Sequence, residues 1–245
     1  MTKKKPQGKQ IQKKIQQIPS KDNIFVCWCD NGLVDGKFAE GLVYTIVGGG
    51  LPIASAMRVQ GNQIGRQRQV ALEYWIKNTQ FEWILWIDSD IHITAEVIHK
   101  MWANVDKVER PVISGVYFIS KENEKSMMAP YPAAFNFVED DPYKISYLHP
   151  LPAGDNLIKV DCAGFGLLLM HRSVVEKMLQ VHGSIPFFNE TGVGEQFVSE
   201  DINFFRLMKK AEIPLYVHTG ALVKHIKRFS LDVEYYKQFW INYGK

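Results

Sequence analysis

The sequence predicts an α/β domain of the doubly wound type, a mainly parallel sheet covered by helices. From residue 23 onward, strand-like apolar runs alternate with segments in which apolar residues recur at helical spacing. One run, Phe81–Ile87 (FEWILWI), is too apolar to be exposed on either face, as expected of a strand inside a parallel sheet. The chain of 245 residues, 46% hydrophobic and 22% charged, is long enough for one large core, and its composition excludes a disordered, collagenous or coiled-coil protein.

The elements follow in chain order. Residues 1–21 hold seven lysines and no acid, and are read as a disordered tail preceding a single domain over 22–245. Asn23–Cys29 is a β-rich run. Behind Asp35 as N-cap, Phe38, Leu42 and Ile46 mark a helix that Gly48, Gly49 and Gly50 stop. Ile53–Val59 reads as a strand, residues 62–78 as a helix and Phe81–Ile87 as the buried strand. Thr94 caps a helix whose inner stripe is Ile98, Met101, Val105 and Val108, and Pro111–Phe118 is another strand. Residues 120–158, with Pro130, Pro132, Pro142, Pro150 and Pro152, are expected to form irregular loops with room for one hairpin. Regular structure is expected again at Lys159–Met170, then in a helix opened by a capping box of Ser173 and Glu176, and in a helix starting at Ser199. Residues 231–245 read as a C-terminal helix.

Charge and cysteines narrow the function classes. The formal net charge of +3 belongs to the tail, since the rest of the chain has 22 basic against 26 acidic residues. A slightly negative domain lacks the phosphate-tracking surface of a nucleic-acid binder. Cys27, Cys29 and Cys162 lack zinc-ribbon spacing and read as reduced core residues, giving the expectation of a cytoplasmic, reducing compartment. No run is long and apolar enough for a membrane helix. Ile11, Ile15 and Ile18 with the tail lysines suit at most a weak peripheral contact with an anionic membrane.

The chemistry concentrates at three places. Asp88-Ser89-Asp90 directly follows the buried strand, where an open α/β sheet binds its ligands, and paired carboxylates are hard ligands for Mg2+ or Mn2+. Ser199-Glu200-Asp201 opens a helix with two acids in its first turn, where the helix dipole keeps a carboxylate ionised. His225 follows the apolar Ala221-Leu222-Val223 and has Lys224, Lys227 and Arg228 around it.

Taken in order, these pieces resemble the GT-A-type nucleotide-sugar glycosyltransferases, in particular the small single-domain bacterial and viral members. The resemblance spans about residues 23–228. It is carried by the first strand through Asn31, the stretch Gly61-Asn62-Gln63-Ile64-Gly65-Arg66-Gln67-Arg68, WILWIDSDI, the strand VISGVYF, the Gly-x-Gly strand Cys162–Met170, the Ser-Glu-Asp helix start and the late histidine. It implies a single GT-A domain with a nucleotide-binding half (22–118) and an acceptor-binding, catalytic half (119–230).

By that resemblance, Asp90 and His225 coordinate the metal, and Asp88 assists them or contacts the ribose. Asp30, Asn31, Arg66, Asp88, Ser89, Asp90 and Lys227 line the donor site, with Arg68 as the alternative to Arg66. Asp201 is the general base, with Glu200 as its substitute. The resemblance further implies Mn2+ or Mg2+ as cofactor and a nucleotide-sugar donor, a UDP-sugar. The acceptor is a carbohydrate or a lipid- or protein-linked glycan, and transfer proceeds with inversion. The competing readings are a sugar nucleotidyltransferase and a non-catalytic carbohydrate-binding module. Against the first, Asp30-Asn31-Gly32-Leu33-Val34 lacks the glycine-rich, basic loop common in such enzymes.

Overall fold

The computed structural model describes residues 23–123, 126–139, 141–184, 186–192 and 197–227, with 233, 236, 237, 240 and 241 beyond them. The expected tail over 1–21, Arg228 and most of the expected helix over 231–245 lie outside the described residues.

Strand β1 (Ile24–Asp30) leads to helix α1 (Gly36–Gly48), and β2 (Ile53–Gln60) to α2 (Ile64–Asn78). Next come β3 (Trp83–Ile87), the short β4 (Ile91–His92), α3 (Ala95–Trp102) and β5 (Val112–Val116). The Asp35 and Thr94 side chains accept hydrogen bonds from Lys37 N and Val97 N, so both caps act as their spacing predicts. Two details of these helices differ. Thr45 fills the buried position beside Leu42, and Ile46 turns outward. α3 stops at Trp102, and Val108 stands exposed in a turn closed by a bridge between Asp106 and Arg110.

The stretch expected to be irregular is largely β-structure. β6 (Phe118–Asn123) pairs antiparallel with β7 (Ser126–Pro132), and β8 (Ala134–Val138) with β9 (Asp141–Tyr147). Pro130 and Pro132 are tolerated because a two-stranded pair leaves each strand an open side that needs no N–H donor. β10 (Leu157–Val160), β11 (Cys162–Ala163) and β12 (Leu167–His171) follow, so Lys159–Met170 is three short strands and not one. Helix α4 (Arg172–His182) is capped by His171, whose Nδ1 accepts from Ser173 N at 3.2 Å. The expected capping box of Ser173 and Glu176 does not form, because the helix already begins at Arg172. α5 (Glu200–Lys210), β13 (Leu215–Leu222) and β14 (Lys224–His225) complete the order.

The main sheet has seven strands in the order β10-β13-β5-β12-β3-β1-β2. β2, β1, β3, β5 and β13 run in one direction, with β12 and β10 against them, so the sheet is mainly parallel in direction but mixed in pairing. The inversion at β12 follows from connection: it is reached from hairpins and short strands rather than through a crossover helix. β3 and β5 are buried along their whole length, as is β12 between them. Below their ends, Phe165, Phe188, Phe204 and Trp86 interlock, with Phe188 stacked on Phe204 at 4.7 Å and Phe165 edge-on to Trp86 at 5.8 Å. Each such buried ring contributes ~1.5–3 kcal/mol through lost water contact, and together they floor the cleft beyond the strand ends.

Candidate active site

The site is built where β3 ends. Asp88 N donates to Gly166 O at 3.0 Å, and Ile91 N returns to Asp88 O at 3.0 Å, so Asp88, Ser89 and Asp90 form a tight turn between β3 and β4. Ser89 O accepts from Asp35 N at 3.1 Å, which ties the turn to the start of α1.

β4 pairs with β14 so that His225 stands opposite Ile91, and Ile226 N donates to Asp90 O at 2.8 Å. This pairing brings His225 Nε2 to 3.1 Å from Asp90 Oδ2, and Lys227 Nζ lies 3.1 Å from the same oxygen. Burial alone would raise Asp90, but the hydrogen bonds and charges of His225 and Lys227 hold its carboxyl below the ordinary range. His225 Nδ1 lies 2.8 Å from the Phe118 carbonyl, where a ring nitrogen must donate. A neutral ring then turns its Nε2 lone pair toward a carboxylate, and the two converge as electron-pair donors. A ring protonated at both nitrogens satisfies this arrangement. So does a divalent cation, since metal-binding histidines characteristically donate their other N–H to a backbone carbonyl or carboxylate. An imidazole beside a carboxylate fits Mn2+ better than Mg2+, which prefers oxygen ligands alone. Among the described residues, no group of three or more His, Cys, Asp or Glu side chains is already gathered as for a metal. Asp88 is turned to a different partner.

That partner is Arg68. Its Nη2 lies 3.0 Å from Asp88 Oδ1 and its Nη1 2.5 Å from Glu200 Oε1, and its guanidinium stacks over Phe165. Burial alone would lower its basicity, but the charges of Asp88, Asp201 and Glu200 outweigh that and keep it protonated. Glu200 is itself buried, and desolvation pushes its carboxyl above the ordinary range despite Arg68. Gly65 makes the approach possible, since a Cβ there would press on Phe188 O at 3.1 Å and Glu200 Cβ at 3.2 Å.

Arg66 points the other way. It is exposed and lines a cavity of about 570 Å3 with Gln60, Gly61, Asn62 and Gln67. A spacing signal separates the two arginines: position 68 shares the buried stripe of Gly65, Leu72 and Trp75, whereas 66 falls with exposed Val70 and Tyr74.

Asp201 is half-buried at the start of α5. Its Oδ1 accepts from Ser199 Oγ and, at 2.8 Å, from Ile202 N, while Oδ2 has no hydrogen-bond partner among the described residues. Asp30, at the end of β1, is committed to Arg58 through two hydrogen bonds of 2.6 Å and to Gly32 N at 2.7 Å, and Arg58 holds its carboxyl below the ordinary range. Asn31 and Lys224 are exposed.

Tyr117 was not singled out by sequence reading, yet it sits at the centre. Its buried ring lies edge-on to His225 at 5.2 Å, and its hydroxyl accepts from Gly166 N at 3.3 Å. A Cβ at Gly164 would overlap that hydroxyl, and one at Gly166 would stand 2.7 Å from the ring. The Gly-x-Gly of the sequence is thus the cradle of this tyrosine. Burial, with Asp88 and Asp201 nearby, pushes the hydroxyl well above the ordinary phenol range, so it stays protonated.

The fold is GT-A-like. Two solved structures show the likeness. The crystal structure of A197 from STIV is 13% identical, with a TM-score of 0.50 over 86% of this chain and 97% of that one. GalNAc-T7, solved with UDP, GalNAc and Mn2+, is 11% identical, with a TM-score of 0.51 over 85% of this chain but only 43% of its own length. No family model and no curated protein matches the sequence.

Proposed function

We propose that the chain is a metal-dependent glycosyltransferase that moves a sugar from a UDP-sugar to an acceptor hydroxyl with inversion. One observation carries the reading: Asp90 and His225, 135 residues apart, meet at 3.1 Å in the turn that follows the central strand. The likeness in fold to a protein solved with UDP, GalNAc and Mn2+ supports it.

Asp90 and His225 would hold Mn2+ or Mg2+, with Asp88 joining them once released from Arg68. When bound, such an ion neutralises the charge that develops on a departing nucleoside diphosphate. Lys227, already on Asp90, adds a positive charge at the same mouth. Asp201 is the base that takes the acceptor's proton through its free Oδ2. Its other oxygen is fixed by Ser199 and Ile202 N, so the carboxylate is oriented before any substrate arrives. Glu200 serves as counter-ion to Arg68 and leaves the proton transfer to Asp201. Asp30, Asn31 and Ser89 complete the donor side in this reading, with Arg68 rather than the outward-facing Arg66 as its arginine, and the acceptor is a carbohydrate or linked glycan.

Thermal unfolding with a nucleotide panel tests the proposal. UDP should raise the melting temperature in Mn2+ and much less in EDTA, since stabilisation follows ligand affinity and reaches ~2.7 kcal/mol at a hundredfold excess over Kd. Asp90→Ala and His225→Ala should each abolish the metal-dependent part. Equal UDP affinity by calorimetry with and without metal would overturn it, and a response to triphosphates alone would favour a nucleotidyltransferase.

A further inference from the structure

α1 presents an outer face that its sequence does nothing to make polar. Val47 is 83% exposed, Tyr44 69% and Val43 56%, all on the side opposite the buried Phe38, Leu42 and Thr45. Just ahead of the helix, Leu33 is 72% exposed and Val34 is exposed beside it. The only charges on α1 are Lys37 and Glu40, which neutralise one another in an ion pair of 2.7 Å near its start. The last two turns therefore offer water valines and a tyrosine with no charged residue among them. Single exposed apolar residues are ordinary, but a row on one helix face marks a contact surface.

The second observation is charge. Residues 1–21 carry seven lysines and no acid, and they join the described chain at Asn23. Trp83 N donates to Asn23 O, and Ile24 N to Pro52 O, just past the end of α1. The polybasic segment is thus joined to the same end of the sheet as the apolar end of α1. An apolar helix face and a lysine cluster are the two signals that together hold a protein at an anionic bilayer, where either alone holds weakly.

We infer that the outer face of α1, together with the lysine-rich segment that joins the described chain at Asn23, docks on an anionic membrane surface. Val43 and Val47 enter the boundary between headgroups and acyl chains, Tyr44 lies at headgroup level, and the lysines meet lipid phosphates. The inference rests on exposure and charge, and stands whether or not the chain transfers sugars.

Co-sedimentation of the full chain with vesicles tests it, using phosphatidylcholine alone and phosphatidylcholine mixed with phosphatidylserine. The chain should partition at least tenfold more strongly onto the mixed vesicles, and 1 M salt should remove most of the difference, because the Debye length falls from about 10 Å at 0.1 M to about 3 Å. The double variant Val43→Asp, Val47→Asp should lose binding at least tenfold while keeping its melting temperature, since both side chains are exposed. A second variant, Lys3→Gln, Lys4→Gln and Lys5→Gln, should lower binding to mixed vesicles without touching α1. The inference is overturned if the natural chain ignores mixed vesicles. It is equally overturned if a folded α1 double variant binds them unchanged, or if that variant instead converts a dimer to a monomer with vesicle binding intact.

Discussion

Arg68 and Glu200 meet in a buried ion pair across 132 residues of chain, Nη1 to Oε1 at 2.5 Å, and the other arm of the same guanidinium holds Asp88. One side chain thus joins the turn after β3 to the first turn of α5, the two places where the candidate chemistry sits.

Replacing Arg68 with Met should destabilise the fold by ~3–5 kcal/mol, because it strands a buried carboxylate without its partner. Arg68→Met combined with Glu200→Gln should cost less than the two changes summed. Urea unfolding of the four proteins checks this. Additive losses would show that the pair is not coupled.

Asp201→Asn should lower sugar transfer ~10²–10⁴-fold with UDP binding nearly unchanged, because the amide keeps the shape of the first turn and cannot take a proton. The loss at the helix start should stay within ~1 kcal/mol. Single-turnover rates alongside UDP titrations separate the two effects. If Glu200→Gln is the dead variant and Asp201→Asn turns over normally, the roles within the pair are exchanged.

A pH dependence follows from Asp30, whose carboxyl Arg58 holds below the ordinary range near ~4. A depressed folded-state value adds stability that is fully present above the unfolded value and disappears as the pH falls through the folded one. Wild type should therefore exceed Asp30→Asn in stability by a constant amount above about pH 5, and the gap should close below about pH 4. A gap that widened on acidification would contradict the ion pair.

Gly164→Ala should destabilise by ~1–3 kcal/mol through overpacking against the Tyr117 hydroxyl, and Tyr117→Phe in the same chain should return part of the loss. A double-mutant cycle measures that return. No coupling would place the two residues apart in solution.

Much of this was legible before any coordinates. Asp35 and Thr94 announced their helices because capping is local chemistry, and the position of Asp88 to Asp90 followed from a strand too apolar to lie anywhere but the centre. Between Phe118 and Tyr147 the sequence leaves room for one hairpin where the structure has two antiparallel pairs, because proline reads as a breaker whereas a two-stranded pair accepts it. His171 as a cap was missed because histidine seldom plays that part. Arg68 and Arg66 differ only by which side of one helix they occupy, and the buried stripe of Gly65, Leu72 and Trp75 separates them. Tyr117 stood in plain view within VISGVYF, but its role depends on two glycines nearly fifty residues away.

The strand order carries a consequence for how the chain reaches this state. β12 lies between β3 and β5, and β13 on the other side of β5, so within the first 118 residues β3, β1 and β2 can pair but β5 has no neighbour. The gap between β3 and β5 stays open until residues 167–171 arrive and pair on both sides. During synthesis, the open edge of β3 and one edge of β5 must therefore wait for about fifty further residues to leave the ribosome, a delay of ~3–10 seconds at ~5–20 residues per second, and the other edge of β5 waits longer, for β13. Over that interval the emerging half is most open to pairing with a neighbour, and a fragment ending at residue 118 would remain in that condition permanently.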